Sequence, residues 1–330
     1  MGELNDWRMV CSLFDRYGPV VTMDQADRAG VARGAVRRVE HRGQLLRLAK
    51  SAFADTRVYE EADSWERFRL QSLAVGLCAG RDTFLAGEAA LTVHGLPTLG
   101  EPPERPRAVR PGDAHRGPNL SAHARVRTGW LPSAHQTIRH RVRVVSAEYL
   151  AVDIARHNGP LHGLMVADRV LHDGGLRESM SRLVGEMRNY PGIETAAWAL
   201  THADGRSESP VETIGRYAFL EAGLTPPLSN VWITDGRSVR RVDHLLADDG
   251  IVLECDGDVK YSGPDAAAVI DDEKSRERWL RALGLSVIRY GYRRAVYARG
   301  GILAEVARER RARAGRPAPQ CWSLDNPLAA

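Results

Sequence analysis

The chain has little of what would tie it to a membrane, a secretory route or a zinc site. It has only four cysteines in 330 residues, Cys11, Cys78, Cys255 and Cys321, far apart and with no CxxC pair. That spacing excludes a disulfide framework and fits a reducing cytoplasm. No segment approaches the roughly 20 apolar residues of a membrane span. The opening MGELNDWRMVCSLFDRYG carries acids where a secretory peptide needs a basic region and an apolar run. Histidines such as His157 and His162 are scattered without zinc-ligand spacing. A large excess of one charge is also missing: the formal net charge is +4 and the sequence pI about 9.0, which permits a nucleic-acid partner without requiring one. What is left is a globular composition, 43% hydrophobic and 27% charged, long enough for two or three domains.

The first segment has a helical spacing of Met9, Val10, Leu13 and Phe14 that ends at Gly18-Pro19. VVTMDQADRAGVARGAVRRVEHRG then reads as two short helices broken at Gly30, with Thr22 as N-cap of the first and Gly43 closing the second. GQLLRLAKSAFAD reads as a hairpin. Three short helices and a hairpin make a winged helix-turn-helix, in which the third helix enters the major groove. Here that helix is Ala32 to His41. It presents Arg33, Arg37 and Arg38, with Arg42 just beyond, either to phosphates and base edges or, as a solvated face, to water.

Residues from Ser64 to Gly100 read as a helix, a break at Gly80 and a second helix around Gly87 to His94. EPPERPRAVRPGDAHRGPN, rich in proline and arginine, reads as loop or short irregular strands, and a helical pattern resumes from Val145 to His157. The stretches GPVVTMDQADRAGVARGAVRRVEHRGQLLRLAKSAFAD, FLAGEAALTVHGLP and VVSAEYLAVDIARH together resemble the AbiEi-type antitoxin family over about the first half of the chain. The resemblance implies a winged helix that binds DNA in autoregulation, and a cognate toxin as partner.

In the last third, SESPVETIGRYAFLEAGL opens a helix. Ser209 caps it, Pro210 takes the first turn and Glu212 reaches back, a capping box that by itself explains the glutamate. Glu212 also shares a face with Arg216 and Phe219, so it can equally point at a site. SVRRVDHLLADDGIVLECDGDVKY then reads as two strands around a turn at Asp248-Asp249-Gly250. With a two-residue loop at Asp248-Asp249, Asp243 lies across from Glu254 and Arg241 across from Asp256. Two ionised carboxylates about 4 Å apart repel by roughly 4 kcal/mol at an effective dielectric near 20. A raised pKa, a salt bridge from Arg241 or a bound divalent cation would each relieve that repulsion.

SPVET, RVDHLL, ECDGDVKY and EKSRERWLRALGLSVIRY, in that order from about Ser207 to Val296, resemble the very-short-patch-repair-like endonuclease domains of the PD-(D/E)XK superfamily. The resemblance implies Mg²⁺ or Mn²⁺ held by Asp243, Glu254 and the Cys255 carbonyl, with Glu212 as the helix acid beside the metal or its water. Asp256 stands where the superfamily commonly has a lysine, and Lys260 or Lys274 would have to return the amine. Lys274 and Arg278, one turn apart, suit phosphate contacts or a solvated face equally.

The expected fold is α/β. A winged helix-turn-helix over 1–56 precedes a mixed α/β region over 57–204. A restriction-endonuclease-like mixed sheet flanked by helices follows over 205–316, then a loose tail over 317–330. Two functions follow: a metal-dependent endonuclease acting on DNA, or a non-catalytic winged-helix regulator or antitoxin-like protein with a degenerate nuclease fold.

Overall fold

The computed structural model describes the backbone of residues 2–112, 119–120, 122–256 and 266–327, and the side chains of 5–112, 122–255 and 274–327. The fold is α/β, with three sheets flanked by helices. The chain divides into two compact units: Met1–Val166 with Gly175–Trp198, and Ala167–Gly174 with Ala199–Ala330. Among the described residues no helix is long and apolar enough to cross a membrane.

The first unit begins with helices Gly2–Tyr17, Met23–Arg28 and Arg33–His41, followed by the hairpin Leu45–Ala49 and Ala52–Asp55. Thr22 forms a reciprocal capping box. Its hydroxyl accepts from the Gln25 amide at 3.2 Å, and the Gln25 carboxamide oxygen accepts from the Thr22 amide at 2.8 Å. The short strand Val21–Thr22 pairs with Ala52–Asp55, so the wing is a three-stranded sheet. Val10, Leu13, Val36, Val39, Leu45 and Phe53 close its core. Burial of these side chains, each contributing about 1.5–3 kcal/mol, fixes which side of the third helix faces outward.

The rest of this unit is built on a six-stranded sheet in the order Asn119–Leu120, Arg125–Gly129, Arg107–Pro111, Phe84–Ala86, Val142–Val145, Gln136–Arg139. Sequence periodicity undercounts these strands, because most are short and several lie in the proline- and arginine-rich stretch. Val145 ends a strand rather than starting a helix. Ser146 is the N-cap, its hydroxyl accepting from the Tyr149 amide at 3.2 Å, and the helix runs Ala147–Asn158.

The second unit carries a five-stranded sheet in the order Ser286–Gly291, Ile251–Asp256, Val239–Leu246, Leu228–Thr234, Trp322–Ser323. The first two strands in that order pair in parallel and the other neighbours antiparallel. Helices Pro210–Glu221 and Ala266–Ala282 accompany it. The stretch expected as a loose tail contributes the edge strand Trp322–Ser323. Cys321 and Trp322 pack on the sheet core with Val231, Val242 and Leu280, which gives that segment an apolar reason to stay docked.

Candidate functional site

In the second unit, His244 opposes Leu253, Leu245 opposes Val252 and Leu246 opposes Ile251. The connection is the four-residue Ala247–Gly250 stretch rather than a two-residue loop. Because it is symmetric about Asp248-Asp249, the register is the one the shorter loop would give. Gly250, at φ +61°, makes the sharp return. Asp243 follows next along that strand, one residue past the last paired position, and its Oδ2 accepts from the Cys255 amide at 2.7 Å.

Glu254 is 7% exposed and is held by a cation that sequence reading did not single out. Arg276 Nη2 donates to Glu254 Oε1 at 2.9 Å and Oε2 at 3.1 Å, and to the Arg241 carbonyl at 2.6 Å. Burial nonetheless pushes the Glu254 carboxyl up to about 7, with the Asp243 charge adding to the rise and Arg276 opposing it. Burial also raises Asp243, against the Cys255 amide. Arg276 had one readable signal: it stands three and four residues before Trp279 and Leu280, on the core-facing stripe of its helix.

Ser209 caps this helix as expected, but the Glu212 carboxylate reaches past the cap amide to that of Glu208, so the capping box is not reciprocal, and the acid also faces this group. Its amide donates to Ser209 Oγ at 3.3 Å, and its Oε2 accepts from the Glu208 amide at 3.0 Å and from Asn230 Nδ2 at 2.8 Å. Burial raises its pKa and the Asp243 charge raises it further. Asn230 sits at φ +50° across from Asp243 in the strand pairing, a left-handed conformation that asparagine tolerates better than most residues. No local sequence pattern announces it. Gly215 lets the helix press on the sheet, since a Cβ there would collide with the Tyr290 hydroxyl. The Cys255 thiol donates to that hydroxyl at 2.8 Å.

Other expected residues are placed differently. Arg241 pairs with Glu208 at 2.7 Å. Lys274 and Arg278 are exposed, and Arg278 Nε donates to the Lys274 carbonyl at 3.2 Å within their helix. The Asp256 side chain and all of Lys260 lie outside the described residues. Two buried features were also missed. Arg216 Nη2 lies 2.7 Å from Asp168 Oδ2, with Thr213 Oγ1 donating to the same carboxylate at 2.8 Å. His244 is fully buried, which lowers its pKa to about 4 and keeps it neutral at pH 7.

These acids hold protons well. A divalent ion fits them poorly as they stand, because Arg276 occupies both oxygens of Glu254. Among the described residues no group of three or more His, Cys, Asp or Glu is disposed to hold a metal.

In the first unit, Ala35, Val36 and Val39 bury one face of the Arg33–His41 helix and turn its arginines outward. They are not equally available. Arg33 Nη2 lies 2.6 Å from Asp27 Oδ2 and Arg38 Nε 2.8 Å from Asp6 Oδ2, and Arg42 lies 3.9 Å from the same Asp6 oxygen. Arg37 is exposed and has no ion pair among the described residues. Lys50 is exposed beside the hairpin turn.

Residues 10–54 match the family model described as transcriptional regulator, AbiEi antitoxin. The match spans the second half of the first helix, the two short helices and nearly all of the hairpin. Two Mycobacterium tuberculosis proteins, uncharacterized proteins MT2308 and Rv2248, are each 29% identical over 162 residues, 47% of this chain and 59% of theirs. The chain thus spans about three fifths of the length of the curated relatives it matches. The crystal structure of RV2827C protein from Mycobacterium tuberculosis is similar at 20% identity and a TM-score of 0.35, covering 68% of this chain and 84% of that one.

Proposed function

We propose that the chain is a DNA-binding transcriptional regulator of the AbiEi antitoxin type, contacting DNA through the Arg33–His41 helix and the hairpin at Lys50. The family match over residues 10–54 supports this reading, and one observation carries it: an uncommitted arginine, Arg37, on the outward face of the third helix. Surface ion pairs such as Arg33 with Asp27 are worth little and can be exchanged for phosphate, whereas Arg37 has nothing to give up. A cognate toxin is the protein partner this reading implies. The test is anisotropy titration of the DNA upstream of its own gene across a salt series. Arg37→Ala should weaken binding and reduce the slope of log K against log salt by about 1. Unchanged binding by Arg37→Ala, or no binding by the wild type at low salt, sinks the proposal.

A second reading, a metal-dependent endonuclease hydrolysing DNA phosphodiesters, is favoured by the convergence of Asp243 and Glu254 on neighbouring strands with raised pKa values. In it Asp243, Glu254 and the Cys255 carbonyl would take Mg²⁺ or Mn²⁺, and Arg276 would have to release Glu254. Plasmid nicking decides the matter. Cleavage that needs metal and is lost in Asp243→Ala supports hydrolysis. No cleavage by the wild type or by Arg276→Ala in Mn²⁺ leaves the regulator alone.

A further inference from the structure

The first unit holds a second group of cations, apart from its winged helix. Two cavities of about 410 and 630 Å³ on the six-stranded sheet share Arg127. The smaller is lined by Arg107 and Arg125 as well, and the larger by Trp130, Arg156 and Tyr190. Arg107 and Arg125 are register partners on adjacent parallel strands. Arg125 and Arg127 are two apart on one strand and so point to the same face.

These arginines are only partly neutralised. Arg127 Nη2 lies 3.0 Å from buried Asp153, and Arg107 Nη2 2.6 Å from Glu88 Oε2. Arg107 Nη2 is committed to that ion pair, while its Nε is buried with no hydrogen-bond partner among the described residues. Arg125 is exposed, with no ion pair among the described residues. Three guanidinium groups therefore face two carboxylates. Gly87, at φ +55°, makes room for one of them: a Cβ there would stand 2.5 Å from Arg107 Nε and Nη2. Next to this surplus charge, Trp130 and Tyr190 are 37% and 38% exposed. Arg156 lies 5.0 Å from the Tyr190 ring centroid and donates to the Pro191 carbonyl at 3.1 Å, which steadies that ring. A lattice of ion pairs serving only to hold strands and helices together would not need an uncommitted arginine or two rings left in water.

We propose that this groove binds a nucleotide unit, its phosphate taken by Arg125 with Arg107 and Arg127 and its base laid on Trp130 or Tyr190. Guanidinium forks match phosphate oxygens two at a time, and any base can stack on an indole or phenol ring. Arg127 and Trp130 line the same cavity, Trp130 just past the end of the Arg125–Gly129 strand. The unit can come from a free nucleotide or from a single strand. The groove is independent of the winged-helix reading.

Calorimetric titration of the full chain with AMP, with inorganic phosphate and with a short oligothymidine tests this. AMP or the oligonucleotide should bind with Kd below about 1 mM, and inorganic phosphate about tenfold more weakly. Arg125→Ala should weaken binding about tenfold and Trp130→Ala about fivefold, with melting curves unchanged. Should either variant melt early, Arg125→Lys, which lacks the fork, should still weaken binding and Trp130→Phe should retain it. Binding of AMP assigns the free nucleotide; binding of the oligonucleotide alone assigns a strand. Arg37→Ala should leave this binding intact, which separates it from duplex recognition. No binding by either ligand, wild-type affinity in both alanine variants, or equal affinity for AMP and phosphate overturns the proposal.

Discussion

At the scale of single residues, Glu254 in the second unit carries a pH dependence that can be read directly. Its carboxyl sits at about 7 in the folded chain because burial outweighs Arg276, against an ordinary value of 4.5. A raised acid binds its proton more tightly when folded, so its contribution favours folding below the unfolded pKa and is lost as pH rises through the 4.5–7 window. Urea denaturation at several pH values should therefore show wild-type stability falling relative to Glu254→Gln as pH rises through that range. A constant difference between the two would mean that the folded carboxyl is not raised. His244 works in the other direction, since its pKa drops from 6.5 to about 4 and its share of stability is lost as pH falls between those values. Following the variant pair rather than the wild type alone removes that second contribution.

At the scale of elements, close approach and caps decide what holds. Gly215→Ala would drive a Cβ into the Tyr290 hydroxyl, and overpacking of this kind costs about 1–3 kcal/mol, readable as a lower denaturation midpoint. Thr22→Ala removes one half of the capping box and should cost about 1 kcal/mol by the same measurement. The sequence shows both helix starts, at Thr22 and at Ser209-Pro210, because a cap and its partner lie within three residues. The register of the two strands, Leu246 against Ile251 through His244 against Leu253, is legible too, because Asp248-Asp249-Gly250 fixes a turn and alternation does the rest. The Arg276 clamp, the Asn230 contact and the Asp168–Arg216 pair are not. Each joins residues far apart in the chain, and arginine in a helix carries no mark of the acid it will meet. The six-stranded sheet escapes for a different reason: strands of two to five residues are too short for a period to emerge.

At the scale of the whole molecule, the second unit is not continuous along the chain, since it takes in 167–174 as well as everything from 199 onward. The earlier piece brings Asp168, whose carboxylate is the partner of the buried Arg216. Removing one member of such a pair strands the other charge without solvent, at a cost of about 3–5 kcal/mol. Arg216 is only 3% exposed, so water cannot take over. Asp168→Ala in the full chain should lower the melting temperature of this unit and leave that of the first unit unchanged. A fragment beginning at Ala199 should lack a cooperative melt, and one beginning ahead of Ala167 should regain it. Anyone hoping to borrow the carboxyl-terminal half as a stand-alone module, or to fuse it elsewhere, must carry that upstream octapeptide along, because the scissors that look safest on paper would cut away a counter-ion.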